Sequence, residues 1–296
     1  MEQYGLKTIA LTYENSIKLS FCAVIMEYRP DILRNIEKIR DIAEDTGLSY
    51  ELVISTRKKI DYSDDHIIFI YDNFHTYGQG KQLAYSSTTG NYLIFFNIAK
   101  NYPDNLPDII HGIIAKREKR AFIFDPLIIS RELINKAGGW KYLSEYEDID
   151  LLARIAKSGG VVALPSKNYD SINYRNQGNK SIKNRIIAQR DAIIACNYKL
   201  SDIMLIKKEG VFISLISYIA SKFTGPKRYR GGQNNYIIIM EIIIESILLK
   251  DYENYFPDLA STKLELSQSE INYLAKKSYL WQKVNKSLPL IINLGR

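Results

Sequence analysis

Between Phe21 and Tyr71 the chain alternates short apolar runs with one helical stretch, and that alternation leaves few architectures open. Phe21 to Met26 (FCAVIM) is an unbroken apolar run, the pattern of a parallel strand buried on both faces. Arg29-Pro30-Asp31 follows, and Pro30 suits a first helical turn, where its missing N–H costs nothing. Ile32, Ile36, Ile39 and Ala43 then recur at i, i+4, i+7 and i+11, which is one face of a helix, and Gly47 ends it. Leu52–Ser55, after Tyr50-Glu51, predicts a second strand, and Ile67–Tyr71 a third. Strand, helix and strand in this order predict an α/β fold with a parallel sheet and right-handed crossovers.

A second informative stretch runs from Ser130 to Pro165. Gly138 and Gly139 precede Trp140, and Glu147 and Asp148 stand where a loop becomes a helix. Ile149, Leu152 and Ala156, widened by Leu151 and Ile155, form the apolar stripe of that helix. Gly159 and Gly160 end it, and Val161 to Leu164 reads as a short buried strand stopped by Pro165. An acid pair at a helix start has a structural explanation, because carboxylates there satisfy free N–H groups and suit the helix dipole. It also has a catalytic one, a positioned general base.

The combination resembles the family 2 glycosyltransferases, inverting enzymes with a GT-A fold, the Rossmann-like fold of nucleotide-diphospho-sugar transferases. Their acceptor-side motif is a glycine-glycine-aromatic turn, a loop, then Glu-Asp opening a helix that closes in Arg-x-x-x-x-Gly. Here Gly138, Gly139, Trp140, Glu147, Asp148, Arg154 and Gly159 fill those places. Upstream, the Tyr50-Glu51 strand and the segment GKQLAYSSTTGNYLIFFN (Gly80 to Asn97) follow the family's order, with Gly90-Asn91-Tyr92 and Leu93 to Phe96 its best-matched parts. The resemblance covers roughly residues 18 to 166 and implies transfer of a sugar, with inversion, from a nucleotide sugar to a hydroxyl or a lipid phosphate. It implies Asp148 as the base, Glu147 in support, and Gly138, Gly139 and Trp140 beside a glycan or lipid-linked acceptor. It places the donor against Met26, Glu27, Ser55, Arg57, Lys81, Asn97 and Arg175.

Two acidic positions of the family pattern are absent. The strand after Glu51 ends in Ser55-Thr56-Arg57 where the family has a base-recognising aspartate. The Asp-x-Asp that holds Mn²⁺ or Mg²⁺ against the sugar diphosphate is Asn97-Ile98-Ala99, with Lys100 next to it. Hard divalent cations prefer charged oxygen ligands, so Asn97 is a weak metal ligand, and Asp104, the nearest spare carboxylate, sits in turn chemistry beside Pro103. His66, His75 and His111 show no metal-ligand spacing. Fixed cations such as Lys81 and Arg175 could balance the diphosphate charge instead. The alternative is a GT-A-fold binding or scaffold protein that has lost metal-dependent donor chemistry.

Net charge is +7, but lysine and arginine are dispersed and no nucleic-acid motif accompanies them, so no nucleic-acid partner is expected. Two cysteines, Cys22 and Cys196, and an N-terminus without a long apolar segment predict a cytoplasmic protein without disulfides. Residues 1–200 read as the GT-A domain and 201–296 as a helical C-terminal extension. Helices are expected at Ile182–Tyr198 and Val211–Phe223. From Ile206 to Arg230 there are six basic residues against one acid, bordering the second of these helices, so this segment reads equally as a peripheral contact with the inner membrane face or as a core helix with a solvated basic loop. Asn235–Leu249 reads as an apolar helix with Glu241 and Glu245 one turn apart, and from Asp251 on the chain reads as polar and helical.

Overall fold

The computed structural model describes residues 17–62, 64–115, 119–123, 126–157, 160–163, 181–200, 203, 211–225, 238, 264–266 and 292–294. The chain divides into two compact units, Met1–Ala121 with Asp125–Gly139, and Phe122–Phe124 with Trp140–Arg296.

The first unit is built on five strands, β1 (Lys18–Ile25), β2 (Ser49–Thr56), β3 (Ile67–Tyr71), β4 (Tyr92–Phe96) and β6 (Leu127–Ser130), side by side in the order β3-β2-β1-β4-β6. β1 runs parallel to both β2 and β4, β2 runs parallel to β3, and β6 pairs antiparallel with β4. Helix α1 (Ile32–Asp45) connects β1 to β2 and buries Ile32, Ile36, Ile39 and Ala43, the four positions its periodicity singles out. Each isoleucine removed from water contributes roughly 1.5–3 kcal/mol. Gly47, at φ +65°, follows the helix in the left-handed region that glycine adopts at no steric cost.

Helix α2 (Tyr77–Ser86) begins before Gly80 because Thr76 and Gln79 form a capping box, the Thr76 hydroxyl accepting from Gln79 N and the Gln79 side chain from Thr76 N. Helices α3 (Leu106–Ala115) and α4 (Arg131–Ala137) complete the unit. The order of the four parallel strands reverses between β1 and β4. Open α/β sheets bind ligands outside the carboxyl ends of the strands at such a point.

The opposite, amino-terminal end of the sheet is held by a buried carboxylate. Glu51 Oε1 accepts from Ser20 Oγ at 2.7 Å, Thr89 N at 2.5 Å and Gly90 N at 3.1 Å, and Oε2 accepts from Lys18 Nζ at 2.9 Å. Burial works to raise the Glu51 pKa, but the bonds from Lys18, Thr89 and Ser20 outweigh it and bring the group down to about 2. A depressed folded-state pKa gives stability that is present above the ordinary value of 4.5 and lost as pH falls toward 2. The shift corresponds to about 3 kcal/mol. Urea titrations from neutral pH downward should therefore show a stability loss in this window that Glu51→Gln largely abolishes. An unchanged pH profile in Glu51→Gln would refute the role.

Strand β5 (Ala121–Ile123), whose last two residues belong to the second unit, neighbours β7 (Val161–Ala163). Helix α5 (Glu147–Ala156) is buried at every position from Glu147 to Ala153 and again at Ile155, more completely than a one-sided stripe predicts. Gly160 stands at φ +93° after it, as a stop signal should, while Gly159 lies outside the described residues. Helix α6 (Ile182–Cys196) buries Ala192, Ile193, Ala195 and Cys196, and Leu143 packs against Ile194 and Ala195. Helix α7 (Val211–Phe223) packs on α6. Both cysteines are buried free thiols. The region expected to be polar and helical from Asp251 on shows strand at its described positions: β8 (Leu264–Leu266) pairs parallel with β9 (Ile292–Leu294). Of Asn235–Leu249 only Ile238 is described, and it is helical.

Candidate active site

The acid pair opens α5 as its spacing predicts, and the chain reaches it through a strained residue. Tyr146 occupies the helix N-cap position at φ 58°, ψ 18°, a left-handed conformation uncommon for a bulky side chain. Such a conformation costs on the order of 1–3 kcal/mol and persists only where the surroundings enforce it. Here the Tyr146 ring is buried edge-on against Tyr198, 5.6 Å between centroids, and Tyr146 O accepts from Asp150 N at 2.9 Å.

The sharp entry places Asp148 against the aromatic of the glycine turn. Trp140 Nε1 donates to Asp148 Oδ1 at 2.9 Å, and both side chains are buried. The sequence reading puts Trp140 beside an acceptor. In the structure it is 3 % exposed, and its polar edge orients the carboxylate. Two residues further on, Asp150 is fully buried and bound by Lys141 Nζ at 2.7 Å and by Arg154 Nε and a terminal guanidinium nitrogen at 2.9 and 2.8 Å. Asp150 thus ties the residue after Trp140 to the middle of α5, which fixes the loop carrying the indole. A buried carboxylate left without such partners would be strongly destabilising. Glu147 is also buried, on the same first turn. The Arg154 of the sequence motif is therefore a structural partner of Asp150, a residue the motif reading passes over.

Gly138 and Gly139 close the first unit. Gly138, at φ +76°, is the left-handed C-cap of α4, its N–H bonding Asn135 O, and Gly139 N bonds Ile134 O. Gly139, at φ +74°, repeats the conformation, and a Cβ there would also run into the Gln82 carboxamide. Two successive left-handed residues explain why both must be glycine.

The candidate donor residues of the first unit fall into two groups. Met26, Glu27 and the exposed Tyr28 follow the carboxyl end of β1, Arg57 follows β2, and Asn97 follows β4. These positions flank the reversal of strand order. Tyr28, 49 % exposed, is an aromatic at this edge that sequence reasoning missed; only its place directly after the apolar run could have signalled it. Ser55 and Lys81 behave differently. Ser55 is fully buried within β2, and Lys81 is 4 % exposed, its ammonium 5.7 Å from the centre of the Phe95 ring. Both belong to the interior of the unit. Arg175 lies outside the described residues.

Asn97 is committed locally. Its Oδ1 accepts from Ala99 N at 3.1 Å, a turn closed by the side chain, and its N–H donates to Tyr102 Oη at 2.7 Å. Asn35 Nδ2 on α1 braces the same loop through Ile98 O at 2.8 Å, and Lys38 Nζ through Asn101 Oδ1 at 2.9 Å. Asp104 is exposed in the turn before α3. One neutral carbonyl already engaged by a backbone N–H does not make a divalent-metal site. Among the described residues no group of three His, Cys, Asp or Glu side chains could hold a metal ion.

No protein-family model matches the sequence, and no curated protein matches it. Among solved structures the chain is similar to the mannosyltransferase PcManGT from Pyrobaculum calidifontis, in complex with GDP-Man and Mn²⁺, at 12 % identity over 91 % of this chain and 84 % of that one, TM-score 0.40. It is similar to residues 1–349 of S. aureus TarS at 10 % identity over 92 % and 91 % of the two chains, TM-score 0.40, and to the UDP-GlcNAc complex of that protein at 10 % identity over 92 % of each, TM-score 0.37. The α/β architecture stands on the strand order and register described above.

Proposed function

We propose that this chain is a glycosyltransferase that moves a sugar from a nucleotide-sugar donor to a hydroxyl or lipid-phosphate acceptor with inversion. The observation that carries the reading is the Asp148 carboxylate, buried on the first turn of α5 and oriented by the Trp140 indole at 2.9 Å. Inversion in one displacement needs a single carboxylate at the attacking oxygen, to take its proton as the oxygen bonds to the anomeric carbon and the nucleoside diphosphate leaves. In this reading residues 1–200 form the transferase body, 201–296 an extension, and Glu147 keeps the first turn acidic. The nucleotide lies along the carboxyl ends of β1, β2 and β4, near Met26, Glu27, Arg57 and Asn97. No step is assigned to a metal, and departing charge falls to cationic side chains at that edge.

A second reading, a binding or scaffold protein without donor chemistry, is favoured by one observation, the engagement of the Asn97 carbonyl by its own loop. Calorimetric titration of GDP and UDP, first with EDTA and then with excess Mn²⁺, separates the two. The transferase reading expects saturable binding under EDTA and less than about hundredfold tightening on adding metal. Bound nucleotide at about 100 times its Kd should also stabilise the fold by about 2.7 kcal/mol. Absence of binding in both conditions would sink the transferase reading, and a larger tightening would point to a carboxylate ligand, with Asp104 the first to mutate.

A further inference from the structure

We propose that α7 is a docking face for an anionic lipid surface, lying in the plane of the headgroups. The inference goes beyond the transferase reading and does not rest on it.

Helix α7 is turned inside out relative to an ordinary surface helix. Its buried positions are Ile213, Ser214, Ser217 and Ser221, facing α6. The serines satisfy themselves locally: Ser214 Oγ accepts from Gln189 Nε2 at 3.1 Å, Ser217 Oγ donates to Ile213 O at 2.7 Å, and Ser221 Oγ donates to Tyr218 O at 2.6 Å. The apolar bulk points the other way. Val211, Phe212, Leu215, Ile219 and Phe223 are all exposed, Phe212 at 73 % and Phe223 at 81 %. At 3.6 residues per turn these five fall within an arc of about 120°. Water is a poor neighbour for so continuous an apolar strip, and monomeric surfaces keep large contiguous apolar patches for contacts.

Charge selects the occupant. Lys222 lies on the same exposed side, its ammonium 4.5 Å from the centre of the Tyr218 ring, a stem-and-head arrangement suited to a headgroup boundary. In sequence, Lys207 and Lys208 lie within four residues of Val211, and Lys227, Arg228 and Arg230 within seven of Phe223, with Glu209 the one acid. A second copy of this chain would set Lys222, and a stretch of sequence with a basic excess, against their own like charges. An anionic bilayer surface matches the apolar strip, Lys222 and the basic excess of the adjoining sequence. The helix has 13 residues, roughly 20 Å, too short for the ~30 Å hydrocarbon core, so it lies along the surface. Among the described residues no helix is long and apolar enough to cross a membrane.

The test is flotation of the full chain with phosphatidylglycerol–phosphatidylcholine vesicles and with phosphatidylcholine alone, at low and high salt. The expected result is binding to the anionic vesicles, reversed by salt. Joint replacement Phe212→Glu with Phe223→Glu should weaken it by about tenfold or more, because two aromatic anchors leave the interface. Both residues are exposed, so the melting temperature should not move. Lys222→Glu should weaken binding to anionic vesicles. Equal recovery in the unbound fraction with both lipids, or wild-type binding by the double variant, would overturn the proposal. So would a dimer in sedimentation velocity that the double variant dissociates, without vesicle binding, since the strip would then be a contact between copies. The readout needs no sugar donor, so it fails or succeeds separately from transferase activity.

Discussion

Replacement of Asp148 by Asn is expected to lower turnover by about 10²–10⁴-fold with donor affinity and fold retained, the range for loss of a general base. The amide preserves an oxygen to accept the Trp140 indole N–H, so the loop geometry at 2.9 Å has no reason to change. What is removed is the charge that, in the proposed reaction, takes the acceptor's proton. The structural role of that charge, favourable placement at a helix N-terminus, is worth only about 0.3–1 kcal/mol. The catalytic loss corresponds to about 3–5.5 kcal/mol on the barrier. Turnover per folded molecule and denaturant midpoint, measured on one preparation, therefore separate the roles. A less stable variant with normal turnover would leave Asp148 a helix-terminal charge and nothing more.

The largest stability effect is expected from Gly90→Ala. A Cβ at this position would lie 2.7 Å from Ser20 N and 2.8 Å from Leu19 C, and would also strike Ser20 Oγ. The obstacles are backbone atoms of β1, paired on both sides by β2 and β4, so they cannot give way as a side chain would. The same displacement would break the bonds from Gly90 N to Ser20 Oγ and Glu51 Oε1. Overpacking of a rigid site costs about 1–3 kcal/mol, and the lost charge-assisted bond adds about 1.5–3 kcal/mol. A fall of at least about 3 kcal/mol in unfolding free energy is the expected outcome, read by urea denaturation. A change under about 1 kcal/mol would show that β1 yields more readily than its pairing implies.

The parts of this molecule that follow from local pattern were legible in the sequence. Ile32, Ile36, Ile39 and Ala43 are the buried face of α1, and Ile67–Tyr71 and Val211–Phe223 coincide with β3 and α7. Glu147 opens α5 where the acid pair and the following stripe place it. What the pattern cannot carry is contact between residues far apart in the chain. The Glu51 cluster joins β1, β2 and the Thr89–Gly90 turn, and no window of sequence contains all three. Lys81 reads as a surface cation because lysine usually is one, yet it lies buried beside Phe95. Leu127–Ser130 is four residues long and antiparallel, too short for periodicity to register. The outward apolar strip of α7 was legible as an apolar helix, but its direction depends on which side α6 covers.

The Glu51 cluster also bears on how chains of this kind change over generations. Glu51, Gly90 and Asn91 sit at the amino-terminal end of the sheet, where they hold strands together. A descendant of any activity would still lose stability if it lost them. Selection for mere persistence of the protein is enough to keep Glu51 and Gly90 in place. Retention of Glu51 and Gly90 thus reports on the stability of the sheet rather than on any activity.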